Sequence, residues 1–239
     1  MNPVHIVTDK ENVAPLVLLP GDPLRAKYIA EKFLTDVKLI NTVRNMFAFT
    51  GFYKGNRITV AGSGMGCPSV GIYSYELFHF YDVKKIIRIG SSGSMKPDVK
   101  IFDVVLSSGA FSNSNFAYHW SGSNSKFIKA NEDLSKSIYN TALELNMKIK
   151  VGPTITTDTF DVWHPIDHII NTCPFKNELM CSEMEGFGLF HIAETEGKEA
   201  AMLTTIVDSK FQKDFNVTAQ EREQNLDQMI TLALEAIIK

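Results

Sequence analysis

The sequence predicts an α/β fold with a largely parallel sheet and helices on both faces. Three observations carry this. Short β-rich runs alternate with longer helical ones along the whole chain. Several of the β-rich runs are nearly continuous in apolar residues, as in Ile86-Ile87-Arg88-Ile89, which fits burial on both sheet faces. The chain has 239 residues, 44% of them apolar. A chain of that size buries roughly 70–75% of its unfolded surface and needs no disulfide or metal to fold.

The elements follow in order. A strand over Leu16–Leu19 runs into a glycine turn. A helix then spans Pro23–Phe33, with Asp22 as N-cap and proline at the first helical position. Strands are expected over Arg57–Ala61, Lys85–Ile89, Asp103–Ser107, Lys148–Pro153 and Ala200–Val207. Helices are expected over Pro68–Tyr81, Asn131–Leu145, Met184–Thr195 and Ala219–Ile238. The last opens on a capping box, Thr218-x-x-Glu221, and repeats apolar residues at helical spacing from Leu226 to Ile237. The Ser/Asn/Phe-rich segment 108–129 has weak periodicity and reads either as a long loop or as unassigned strands. With no repeat, low-complexity run or linker, residues 1–239 read as one domain.

Composition excludes several classes. There are 24 Lys+Arg against 27 Asp+Glu, a net charge of −3, so no basic stripe points to nucleic acid. Three cysteines (Cys67, Cys173 and Cys181) give neither a disulfide framework nor a CxxC clip, which fits a reducing compartment. No apolar run approaches the ~18–20 residues of a membrane span. The N-terminus lacks the basic start of a signal peptide. The expectation is a soluble, cytoplasmic chain with neither a nucleic-acid nor a membrane partner.

Four stretches carry residues suited to chemistry. In Pro20-Gly21-Asp22-Pro23-Leu24-Arg25 a strand turns through glycine into a helix, whose free N–H groups welcome an anion. Arg25 stands in the first helical turn, where the helix dipole disfavours a cation unless an anion is bound. Arg88 lies inside an apolar strand, so its guanidinium needs a carboxylate or a bound anion. The following Gly90-Ser91-Ser92-Gly93 would offer flexible backbone donors and hydroxyls at a strand's carboxyl end. Ser182-Glu183-Met184-Glu185 sets two carboxylates two residues apart, which separates them rather than making a dyad. Asp208 ends the strand Thr204–Val207, where partial burial would suit it to general-acid work, although a turn or N-cap role is the commoner one.

Other patterns do not read as sites. Gly62-Ser63-Gly64-Met65-Gly66 has Cys67 where a dinucleotide fingerprint needs its third glycine. His164 and His168 flank Pro165 without an HExxH frame, so no metal site is expected.

Taken together, Pro20–Arg25, Val43-Arg44, Lys85–Ser91, Glu183-Met184-Glu185 and Asp208 with Arg222 resemble the small, hexameric, bacterial-type purine nucleoside phosphorylases of the nucleoside phosphorylase I superfamily. The resemblance runs in order through nearly the whole chain. It implies a three-layer α/β/α sandwich with a mixed, largely parallel central sheet. It implies phosphorolysis of purine nucleosides to free base and (deoxy)ribose 1-phosphate, with no cofactor and with inorganic phosphate as co-substrate. It implies a homohexamer, a trimer of dimers. Phosphate would be held by Gly21, Arg25, Arg88 and Ser91, with Arg44 from the neighbouring subunit. The nucleoside would meet Phe160, Ser182, Glu183, Met184, Glu185 and the neighbour's His5, with Glu185 on the 2′- and 3′-hydroxyls. Asp208 would protonate purine N7 with help from Arg222. The family usually has serine where this chain has Val207, which leaves open the choice between 6-oxo and 6-amino purines. Uridine phosphorylases share the phosphate motifs but carry a uracil-binding segment with no counterpart before Glu183. A hydrolytic nucleosidase would have no use for three arginines. A nucleoside-binding protein without catalysis is the remaining alternative.

Overall fold

The computed structural model describes residues 2–212 and 219–239, and side chains for 2–212 and 226–239. The capping box at Thr218 and Glu221 and the side chain of Arg222 therefore lie outside the described residues.

Strand β1 (Leu16–Pro20) leads through Gly21 into α1 (Pro23–Phe33). The Asp22 carboxylate accepts a hydrogen bond from the Leu24 N–H at 2.8 Å, as an N-cap does. Two strands absent from the sequence expectation follow, β2 (Thr35–Asn41) and β3 (Ala48–Tyr53), before β4 (Asn56–Ala61). Tyr53 pairs with Asn56 across a two-residue turn, Lys54-Gly55, and both turn residues have positive φ. That is the hairpin turn whose twist matches the strands.

Helix α2 (Cys67–Tyr81) precedes β5 (Lys85–Ser94) and β6 (Val104–Phe111). Segment 108–129 resolves into the end of β6, a short helix α3 (Phe116–Ser121) and β7 (Phe127–Lys129) paired to β6. Then come α4 (Glu132–Glu144), β8 (Ile149–Thr156), α5 (Asp167–Ile170), β9 (Cys181–Glu183), α6 (Gly186–Glu196), β10 (Glu199–Ser209) and α7 (Ala219–Ile237).

The mixed sheet runs in the order β10-β6-β8-β9-β5-β1-β4-β3-β2, and β10 also pairs with β5. Strands β5, β9, β8, β6 and β10 thus close on one another. The ladders β4–β1, β1–β5, β5–β10, β6–β8 and β8–β9 are parallel. The hairpin strands, β7 and the β5–β9 and β10–β6 pairs are antiparallel.

Alternation along the strands separates two helical layers. Val17, Leu19, Ile86, Ala200 and Met202 pack with α2 and α6. Leu18, Ile87, Ile89, Ala201 and Leu203 pack with α1, α4 and α7. This is the α/β/α sandwich expected. By the same period of two, Arg88 falls on the side of Ile86. It therefore faces the layer that contains the start of α6.

Two local expectations change. Gly90-Ser91-Ser92-Gly93 is not flexible backbone beyond a strand that ends at Ile89: β5 continues through it to Ser94, because β10 and β9 pair with it on either side. Met184 does not open the following helix. Glu183 ends β9, and α6 begins at Gly186, with Glu185 as the hinge residue between them.

Candidate active site

A cleft of about 730 Å³ opens beyond the carboxyl ends of β1, β4, β5 and β10. Ligands enter open α/β sheets at such an edge. Gly21 and Arg25 reach it from the start of α1, and Gly64 and Met65 from the loop after β4. Arg88, Gly90, Ser91 and Gly93 come from β5, and Ser182, Glu183, Met184 and Glu185 from the β9–α6 junction. Val207 and Asp208 close one side from β10, and Phe160 overhangs from the segment after β8. The fold thus brings together ten of the thirteen expected site residues.

Arg88 is 4% exposed and so is Glu185. Their side chains form a close ion pair, Arg88 Nη2 to Glu185 Oε2. Arg88 Nη1 also donates to Ser63 Oγ at 3.4 Å, and Glu185 Oε1 accepts from the Gly66 N–H at 2.8 Å. Burial of either charge alone would cost several kcal/mol, and pairing offsets that cost. Among the described residues Arg88 Nε has no hydrogen-bond partner. A Cβ at Gly90 would stand 3.3 Å from Arg88 Nη2, so glycine leaves the guanidinium its room.

Arg25 enters the same end of the cleft. Burial pushes its pKa below the ordinary value, Asp22 opposes this, and the like charge of Arg88 pushes it further down. Two guanidiniums that repel each other beside a helix N-terminus define a place for an anion.

Glu183 is buried as well, and its carboxylate is engaged with protein groups. Oε2 accepts from the N–H groups of Glu185 and Gly186, each at 2.7 Å, and Oε1 accepts from the Thr156 hydroxyl. Thr156 Oγ1 in turn accepts from the Phe187 N–H at 3.0 Å. Thr156 and Glu183 thus tie down the first amides of α6 and set the position of Glu185. Burial raises the Glu183 pKa and the Glu185 carboxylate raises it further, against the opposing charge of Arg88.

Asp208 owes its place to a β-bulge. The β10–β5 register shifts between Ile206 and Asp208, which sets Asp208 opposite Gly93. A Cβ on Gly93 would lie 2.5 Å from Asp208 Oδ1, so the carboxyl occupies the space above that glycine. Phe160 is 41% exposed and meets Trp163 edge to face at 5.1 Å between centroids.

His5 and Arg44 do not line this cleft. His5 Nδ1 lies 2.8 Å from Glu76 Oε1, and its ring meets Tyr73 edge to face at 6.0 Å. Arg44 is exposed in a left-handed turn at φ 57°, close enough to Tyr73 for its charge to oppose the burial that raises the phenol's pKa. Both residues therefore sit around Tyr73, apart from the site of their own chain.

Several site groups escaped the sequence reading. The Gly62–Gly66 loop fails as a dinucleotide fingerprint, yet it supplies Ser63 to Arg88 and the Gly66 N–H to Glu185. Its signal was present, as glycines between an apolar strand and a helix with proline near its start. Thr156 had no signal in its pattern. Glu76 lay within a helical run, and its carboxylate accepts from the N–H groups of Val4, His5 and Ile6. Among the described residues no three His, Cys, Asp or Glu side chains stand together where they could hold a metal ion. No helix among them is long and apolar enough to cross a membrane.

With this geometry in place, comparison with known proteins is decisive. Residues 15–238 match the phosphorylase superfamily model. The chain belongs to that superfamily. Within it, relatives named purine nucleoside phosphorylase DeoD-type match along nearly the full length. The one from Oceanobacillus iheyensis is 39% identical over 99% of each chain. The one from Psychromonas ingrahamii is 40% identical over 100% of this chain and 99% of its own. One from Thermoanaerobacter sp. is 40% identical over 97% of this chain and 98% of its own. The chain is thereby a member of the DeoD-type purine nucleoside phosphorylases. The fold has its counterpart in a crystal structure of purine nucleoside phosphorylase from Toxoplasma gondii in complex with immucillin-H. The TM-score is 0.87 at 24% identity, over 99% of this chain and 95% of that one. In this phosphorylase every quoted motif from Pro20–Arg25 to Asp208 contributes residues to one cleft, apart from Val43-Arg44.

Proposed function

We propose that the chain cleaves purine ribo- and 2′-deoxyribonucleosides with inorganic phosphate, yielding the free base and (deoxy)ribose 1-phosphate. The observation that carries this reading is the convergence of Arg25 and Arg88 at one end of a cleft whose other side holds Asp208 over Gly93.

Phosphate binds Arg25, Arg88, Ser91 and the Gly21 backbone at the start of α1. Held there, one phosphate oxygen is aimed at C1′, which removes much of the entropic cost of the encounter. The C1′–N9 bond breaks with positive charge developing on the sugar, as in other glycosyl transfers. The phosphate anion beneath C1′ stabilises that charge more than it stabilises the ground state. Glu185 and Met184 hold the ribose, and Glu185 turns from Arg88 to the 2′- and 3′-hydroxyls. Asp208 gives its proton to N7 as the electron pair moves into the base, with Arg222 assisting. Phe160 packs on the base, beside Ser182. Glu183 serves by fixing Glu185 rather than by touching the sugar.

The reading extends to assembly. His5 and Arg44 complete the cleft of a neighbouring subunit in a trimer of dimers, which explains their display around Tyr73. Residues 1–239 form one catalytic domain, which works in the cytoplasm and needs no cofactor beyond its co-substrate.

Inosine and adenosine incubated with and without phosphate test the reaction. Base release only in the presence of phosphate is the expected result. Equal release in both tubes would mean hydrolysis, and no release in either would mean a binding protein.

A further inference from the structure

Asn41 ends β2 and is 3% exposed. Its side-chain amide is engaged on both sides. Oδ1 accepts from the Val7 N–H at 3.0 Å, and Nδ2 donates to the His5 carbonyl at 3.1 Å and to the Met46 carbonyl at 2.8 Å. These partners belong to two separate stretches of chain. Val7 and His5 lie on the N-terminal arm, and Met46 is the exit of the turn that carries Arg44. In that turn Arg44 and Asn45 stand in succession at φ 57° and 60°, a conformation that residues with a Cβ disfavour. Such a turn persists only where its surroundings hold it. The Asn45 and Met46 N–H groups close it locally on the Thr42 and Val43 carbonyls, each at 3.0 Å. Asn41 then ties its exit to the arm. The arm has a second anchor in buried Glu76, which accepts from the N–H groups of Val4, His5 and Ile6 and lies 2.8 Å from His5 Nδ1.

We infer that Asn41 is a positioning residue for the reaction: it locks the His5 arm and the Arg44 turn into one unit, so that both side chains reach the neighbouring subunit's cleft at a fixed separation. The inference rests on the proposed completion of that cleft by His5 and Arg44. Asn41 is itself buried and acts only through them. The position requires an amide, because one flat group must present two donors and one acceptor. Aspartate has the same shape, but it would turn an acceptor oxygen toward the His5 and Met46 carbonyls and leave both without their donor.

The test measures kcat/KM for phosphate and for inosine in wild type, Asn41→Asp, His5→Ala/Arg44→Ala and the triple variant. Asn41→Asp lowers both values, each by at least ~10-fold, because two groups lose their placement at once. In the His5→Ala/Arg44→Ala background the same substitution changes neither value by more than ~2-fold, since the groups it acts through are gone. Asn41→Ser, too short to bridge the two carbonyls, gives the same pattern and decides the matter if the aspartate variant does not fold. Wild-type values in the folded Asn41 variants, a loss confined to one substrate, or a loss that persists in full in the double-alanine background overturns the positioning role. A His5→Ala/Arg44→Ala enzyme as active as wild type would instead overturn the cross-subunit reading, and a wild type without phosphate-dependent turnover of inosine would overturn the phosphorylase reading beneath both.

Discussion

Arg88 and Glu185 are each other's counterion inside the cleft, both about nineteen-twentieths buried and bonded through Nη2 and Oε2. The pair solves a burial problem and sets up a switch of partners. The strand that carries Arg88 is apolar on both sides, so little of the guanidinium reaches water except through the cleft. The carboxylate that satisfies it is the group assigned to the sugar, and the anion that replaces it is the co-substrate. In the proposed complex Arg88 pairs with phosphate while the Glu185 carboxylate accepts hydrogen bonds from the sugar hydroxyls, so neither group is left without a partner.

Removal of one partner should therefore harm the fold as well as the reaction. Arg88→Met leaves Glu185 buried without its counterion and should cost about 3–5 kcal/mol of stability. The double variant Arg88→Met/Glu185→Leu should recover much of that loss while remaining inactive. Urea unfolding of the three proteins checks this. A single variant as stable as wild type would contradict the pairing.

Gly93 owes its identity to Asp208. Gly93→Ala sets a methyl 2.5 Å from Asp208 Oδ1 and must displace the carboxyl. The expected result is a drop in kcat on inosine with little change in KM for phosphate, since Arg25 and Arg88 are untouched. Steady-state kinetics against each substrate separate the two effects. A loss confined to the phosphate KM would be the wrong signature.

Asp208→Ala should lower kcat on inosine by about 10²–10⁴-fold, the usual worth of a positioned general acid. It should spare 7-methylinosine, whose base already carries the positive charge that protonation would supply. Equal losses on the two substrates would remove Asp208 from the role of acid.

Glu183 makes stability depend on pH in a stated direction. Its folded pKa is raised above the ordinary 4.5 by burial, then by Glu185. Between the two values the folded chain holds a proton that the unfolded chain has lost, so stability falls as pH rises through that window. Thermal midpoints of wild type and Glu183→Gln, followed upward from pH 4.5, should show a fall in the wild type that the variant lacks. Parallel curves would count against it. Thr156→Val should loosen the same clamp and lower kcat/KM for inosine more than for 2′-deoxyinosine, and Thr156→Ser should restore it.

The parts of this fold that were legible are those governed by short-range rules. Asp22-Pro23 marked the start of α1, and apolar continuity marked the centres of β1, β4, β5 and β10. Strand β2 was not legible, because Thr35–Leu39 is exposed and polar on much of its length and acquires its conformation by pairing with β3. Strand β9 has three residues and exists only because β5 and β8 take it on either side. In the site, the arginines were visible because a charge in an apolar strand or a helix's first turn demands an explanation. Thr156 was invisible because a buried threonine in a strand demands none. The bulge at Val207 was equally silent, since it depends on the register between β10 and β5 rather than on either sequence alone.

The direct measurement is the identity of the sugar product. Phosphorus NMR of inosine, phosphate and enzyme should show ribose 1-phosphate growing in step with hypoxanthine, and neither forming when phosphate is left out. Free ribose alongside hypoxanthine, with the phosphate signal unchanged, would contradict the account.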